Sequence, residues 1–130
     1  VTTPSALPVA LHHVSLSVAD LARSIEFYEG VLGLPRLPRP DMGVAGVWLA
    51  LGGAQVHLIE REERHGDVGA TPSATNPAGP HFAMAIADYD ATVAHLEAAG
   101  VAVFATSSRR GQCWVQDPDG YVIEFIRPAE

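Results

Sequence analysis

Three histidines and one glutamate stand at matched positions in the two halves of this 130-residue chain. His13 and His81 each open an alternating run that closes on an aspartate, Asp20 or Asp88, and each run feeds an amphipathic segment ending at a glycine. Further along, Trp48 and His57 in the first half answer Trp114 and Glu124 in the second, at offsets of 66 and 67 residues against 68 for the opening histidines. Imidazole nitrogens and carboxylate oxygens share a preference for borderline divalent cations. The internal repeat therefore points to His13, His57, His81 and Glu124 holding one divalent ion between two copies of a supersecondary unit.

Those side chains need strands and helices to carry them. Residues 11–18 alternate, with His12, Val14, Leu16 and Val18 on one face and His13, Ser15 and Ser17 on the other. His12 and His13 are thus expected to point opposite ways, His12 as a partly buried structural residue. Asp20 then caps a helix with the apolar stripe Leu21, Ile25, Tyr28 and Leu32, stopped by Gly33. A short strand over 34–37 and a hairpin of strands 44–51 and 54–61, turning at Gly52-Gly53, complete the first unit. Residues 62–80 hold three prolines and three glycines without periodicity and read as a linker. The second unit repeats the first: strand 81–87, a helix capped by Asp88 and ending at Gly100, and strands 101–106, 112–116 and 121–127, the last two joined by the tight turn at 117–120. Small residues (Ala83, Ala85, Ala87) share the face of His81, which leaves room beside it. The expectation is an α+β fold within one domain over 1–130. Two tandem βαβββ modules, 10–61 and 81–127, form a cupped, mostly antiparallel sheet around the metal site.

Composition narrows the class of function. A 48% hydrophobic content in 130 residues supports a core without disulfides. Cys113 has no second cysteine to pair with, which fits a cytoplasmic location. The net charge of −7 leaves no basic stripe for phosphates, which argues against nucleic acid. The longest charge-free apolar run, 43–54, is far below the ~18 residues of a membrane span. Residues 1–8 read as a loosely tethered lead-in. His65 and His95 read as linker and helix-surface residues, and Cys113 as a small buried side chain. Trp48 and Trp114 are expected either to wall a pocket or to pack symmetrically under the sheets. Arg109 and Arg110 sit at a hairpin tip, either as a solvated turn or as a hold for a substrate carboxylate or phosphate.

The run from His13 to Leu34, the His81 strand and the segment Asp117 to Glu124 together resemble the vicinal oxygen chelate superfamily. That superfamily holds glyoxalase I, methylmalonyl-CoA epimerase, extradiol dioxygenases, fosfomycin-resistance enzymes and bleomycin-binding proteins. The resemblance spans almost the whole chain. It implies metal ligands on the first and last strands of each unit, at His13, His57, His81 and Glu124. Glyoxalase I commonly carries glutamate where His57 stands and the epimerase glutamine, so the proton-shuttling pair of carboxylates is here reduced to one. The dioxygenase pattern needs only His13, His81 and Glu124.

Three nitrogens and one oxygen suit nickel, cobalt, zinc, iron or manganese, and an octahedral ion keeps two adjacent positions for neighbouring oxygens of a small substrate. Proton abstraction beside a chelated carbonyl, through an enediolate, is the expected step, with Glu124 as base and His57 as the second candidate. The reading is a metal-dependent lyase, isomerase or epimerase of the glyoxalase type. Its alternatives are an extradiol-type dioxygenase, a fosfomycin-type thiol transferase, and a protein that sequesters a drug or metabolite. A two-fold homodimer is expected, with the site built either within one chain or across two.

Overall fold

A computed structural model of the protein describes residues 7–69 and 75–129. Most of the expected lead-in, and residues 70–74 of the connection between units, lie outside the described residues. The first unit runs β1 (His13–Val18), α1 (Leu21–Ile25), β2 (Arg36–Leu37), β3 (Gly46–Leu51) and β4 (Ala54–Glu60). The second runs β5 (Phe82–Ala85), α2 (Tyr89–Ala98), β6 (Phe104–Ser107), β7 (Gln112–Gln116) and β8 (Val122–Ile126). Each unit forms its own four-stranded sheet, in the orders β1-β4-β3-β2 and β5-β8-β7-β6. In both sheets the first strand runs parallel to the last and the remaining pairs are antiparallel. The tandem βαβββ expectation holds, as two sheets. Between the units, Glu63–His65 forms a single 3₁₀ turn. No helix among the described residues is long and apolar enough to cross a membrane.

Both helices start as their sequences dictate. Asp20 accepts from the Arg23 N–H at 3.1 Å and Asp88 from the Ala91 N–H at 3.0 Å, each satisfying a donor that the first turn leaves free. The first helix departs from expectation after Ile25, where the backbone widens into a π-helical turn over Glu26–Val31. The Leu32 N–H reaches back to the Phe27 carbonyl at 2.9 Å. Within this wider turn two consecutive aromatics, Phe27 and Tyr28, are both buried. β6 begins at Phe104, later than its sequence pattern indicates, and within it Ala105 adopts φ +47° and the pairing with β7 slips between Phe104 and Ser107.

One apolar cluster spans both units. Leu16, Val18, Val47, Leu49, Val56 and Leu58 from the first sheet join Met84, Cys113, Val115, Ile123 and Phe125 from the second. Strand alternation therefore turns the opposite faces, which carry His13, His57 and Glu124, away from the shared core. Cys113 is fully buried there, and burial pushes its thiol pKa up. The seam between the units is also polar. The Tyr28 hydroxyl donates to Asp117 Oδ2 at 2.6 Å, and the Tyr121 hydroxyl to the Ser17 carbonyl at 2.9 Å. Asp119 accepts from the Ala19 N–H and the Ser24 hydroxyl, with Arg23 and Arg61 each 3.5 Å away. The turn at 117–120 thus does more than set the register of β8: it fastens one unit to the other.

Burial pushes the Asp117 carboxyl above its ordinary pKa, and burial together with Asp117 pushes the Tyr28 phenol well up. Removing the hydroxyl strands a buried acceptor. Tyr28→Phe is expected to cost roughly 1–3 kcal/mol, read as a shifted midpoint in urea unfolding. An unchanged midpoint would show that this bond does not hold the seam.

Candidate functional site

The first sheet places its candidate residues in one aromatic stack. In the ladder Ser15 pairs with His57 and His57 with Trp48, so these three share a row, while His13 sits one step along beside Gln55. The His57 ring lies between the His13 ring at 3.9 Å and the Trp48 indole at 4.5 Å, nearly parallel to both. His57 Nε2–H donates to Gln55 Oε1 at 2.8 Å, leaving Nδ1 with its lone pair. His57 is buried, at 7% exposure. Burial lowers its pKa, and the neighbouring His13, His12 and Arg39 lower it further. A neutral imidazole is the form that binds metal.

His12 departs from expectation. It is exposed rather than partly buried, and its Nδ1 lies 2.8 Å from Nδ1 of His13 instead of on the far side of the strand. β1 begins at His13, so alternation along the strand does not dictate where the His12 ring turns.

The second sheet repeats the row with Ala83, Glu124 and Trp114. His81 stands just before β5, its ring edge-on to Trp114 at 4.5 Å. His81 Nδ1 is 2.8 Å from the Gly79 carbonyl, which only accepts, so the ring proton resides on Nδ1. The lone pair of Nε2 then faces Glu124 Oε1 at 3.3 Å. Two acceptors at that range repel unless a proton or a cation lies between them. An imidazole oriented by a backbone carbonyl and aimed at a carboxylate is also how metal-binding histidines are held. Glu124 is 7% exposed, and its other oxygen receives the Gln112 amide. The donor chemistry of both pairs fits a divalent ion.

Within one chain the two pairs stay apart. Among the described residues no three His, Cys, Asp or Glu side chains gather closely enough to hold a metal. The structure brings His13 to His57 and His81 to Glu124, on sheet faces that both turn away from the common core. Both tryptophans belong to these faces and stand outside the apolar cluster. Two residues escaped the sequence reading, Gln55 and Gln112, which hold His57 and Glu124 in place. Gln55 was detectable as the same-face neighbour two positions before His57. Gln112 needed the strand register, which sets it opposite Ile126 and diagonal to Glu124.

Paired imidazole and carboxylate faces on twin βαβββ units define a class of protein. The glyoxalase/bleomycin resistance protein/dioxygenase superfamily matches this chain over residues 10–125, and the chain belongs to it. It is 34% identical over 120 residues to a lactoylglutathione lyase of Haemophilus influenzae, covering 88% of this chain and 89% of that one. Similarity to the glutathione transferase FosA of Serratia marcescens is 29% over 117 residues, 89% of this chain and 79% of that one. A glyoxalase/dioxygenase of Nostoc punctiforme superposes with a TM-score of 0.77 at 25% identity, covering 100% of this chain and 97% of the other.

The depressed pKa of His57 has a sign. Its neutral form is retained below the ordinary value of 6.5, so the stability tied to it is complete above pH 6.5 and lost as pH falls through the folded pKa. NMR titration of the metal-free protein is expected to place the His57 ring midpoint below 6.5. A midpoint at or above that value would contradict the burial and charge argument.

Proposed function

We propose that the protein is a metal-dependent enzyme of the glyoxalase type, a lyase, isomerase or epimerase for a small substrate with two adjacent oxygens. It works as a two-fold homodimer. Each site combines His13 and His57 of one chain with His81 and Glu124 of the other, around one ion of nickel, cobalt, zinc, iron or manganese. The observation that carries this reading is the pair of complementary half-sites on faces turned from the core. Membership in the superfamily and similarity to a lactoylglutathione lyase support it.

When bound, the ion supplies Lewis-acid polarisation of the two substrate oxygens, worth several kcal/mol. Glu124, its Oε1 shifted off the position it would hold as a ligand, would take the proton from the carbon beside the carbonyl; the electron pair of that C–H bond stays on the substrate as an enediolate, and the proton is returned at the neighbouring carbon. Gln112 fixes the other carboxylate oxygen during both transfers. A positioned base of this kind contributes roughly 10² to 10⁴ in rate. Trp48 and Trp114, in ring contact with His57 and His81, would wall the site beside the reacting carbon.

Elemental analysis of the purified or reconstituted protein is expected to give about one divalent ion per chain, and His81→Ala and Glu124→Ala each to lose it. Mixing refolded His13→Ala and His81→Ala chains separates the two site geometries. A site shared between chains regains roughly one quarter of the wild-type metal capacity, because half of the dimers are mixed and each holds one intact site. No regain would refute the shared site, and a wild type that cannot be loaded would refute the metal itself. The loaded protein should exchange the carbon-bound proton of hydroxyacetone for deuterium, and chelation should abolish that exchange.

A further inference from the structure

Every cation of this chain is an arginine, eight against fifteen carboxylates. Four of them face a carboxylate: Arg36 meets Glu29, Arg64 meets Glu62, and Arg23 and Arg61 meet Asp119. Arg39 donates to the Val44 carbonyl at 3.0 Å. The remaining three, Arg109, Arg110 and Arg127, have no acidic partner among the described residues, and all three line one groove of about 1010 Å³. Like charges around a common space repel. Among the described residues no carboxylate lines this groove, so its three guanidinium groups are open to an anion from outside.

A glycine shapes one wall of the groove. Gly111 closes the β6–β7 hairpin at φ +64°, and a Cβ on it would lie 2.8 Å from Cβ and 3.1 Å from Nε of Arg127. The missing side chain is what lets Arg127 lie across the hairpin that carries Arg109 and Arg110. Gln112 and Ile126 form a facing pair that also lines the groove, on the same sheet face as the Trp114 and Glu124 pair. Gln112 joins the two regions directly, since its amide donates to Glu124 Oε2.

We infer that this groove binds an oxyanion, a carboxylate or a phosphate, carried on the far end of the substrate whose reacting end lies at Glu124. The assignment of that reacting end rests on the function proposed above; the anion subsite does not. Guanidinium forks match both kinds of oxyanion through paired, charge-assisted hydrogen bonds. The substrate class is thereby narrowed to small acids or phosphate esters with vicinal oxygens, of which a neutral hydroxyketone such as hydroxyacetone is a minimal, weaker-binding analogue.

Calorimetric titration of the metal-free protein with inorganic phosphate and, separately, with succinate tests the subsite. Saturable binding of at least one of them is expected, and the tighter one identifies the anion. Arg110→Glu should weaken it about tenfold or more, and the triple change Arg109→Ala, Arg110→Ala, Arg127→Ala should abolish it. Arg36→Ala, at a guanidinium already paired, should leave it unchanged. Absence of binding in the wild type, or equal binding in Arg110→Glu with an unchanged melting curve, overturns the inference whatever the metal result. In the nickel-loaded protein, succinic monohydroxamate should bind more tightly than acetohydroxamate, and the triple variant should erase the difference. Failure to load nickel would count against the metal reading and leave the anion titration to decide the subsite.

Discussion

Tyr28 donates to Asp117 across the seam between the units, and around that contact the helix-facing sides of both sheets close into one apolar cluster. Strand alternation then leaves no freedom about the other faces. With Val56 and Leu58 inside, His57 must face away from the core; with Ile123 and Phe125 inside, so must Glu124. Shifting either strand by one residue would turn the imidazole or the carboxylate into the apolar cluster and the apolar pair out of it, so register and site placement are one constraint. The π-helical turn serves the same end. It allows Phe27 to fill the core while Tyr28 reaches the turn at 117–120, which leads directly into the strand of Glu124.

Much of this was legible beforehand because it depends on patterns of period two and on caps. The faces of β1, β4, β5 and β8 follow from alternation alone, both helix starts follow from Asp20 and Asp88, and the fastening turn announces itself as Asp117-Pro118-Asp119-Gly120. Other features depend on contacts between distant segments, which no local pattern carries. His12 turns back on His13 from a residue that precedes the strand, and the backbone widens after Ile25 where two adjacent aromatics are buried. The roles of Gln55 and Gln112 likewise appear only when the strands are set side by side. The internal repeat named the four candidate ligands. It was silent on which faces of the units pack together, and that packing separates the two pairs within a chain.

The repeat is symmetric in position and asymmetric in chemistry. The first sheet contributes two imidazoles in a stack with an indole, where burial and neighbouring rings disfavour a positive charge on His57. The second contributes one imidazole and one buried carboxylate. Under the proposed function, three neutral nitrogens and one negative oxygen would leave a divalent ion with one unit of positive charge uncompensated. A substrate that gathers negative charge on two adjacent oxygens as its proton leaves supplies the missing charge at the moment it forms, so the stabilisation grows toward the transition state rather than being spent on the ground state. A second carboxylate in place of His57 would cancel that residual charge in advance. In that reading an imidazole at this position would leave proton handling to Glu124 alone and would strengthen the pull on the developing oxyanion in exchange.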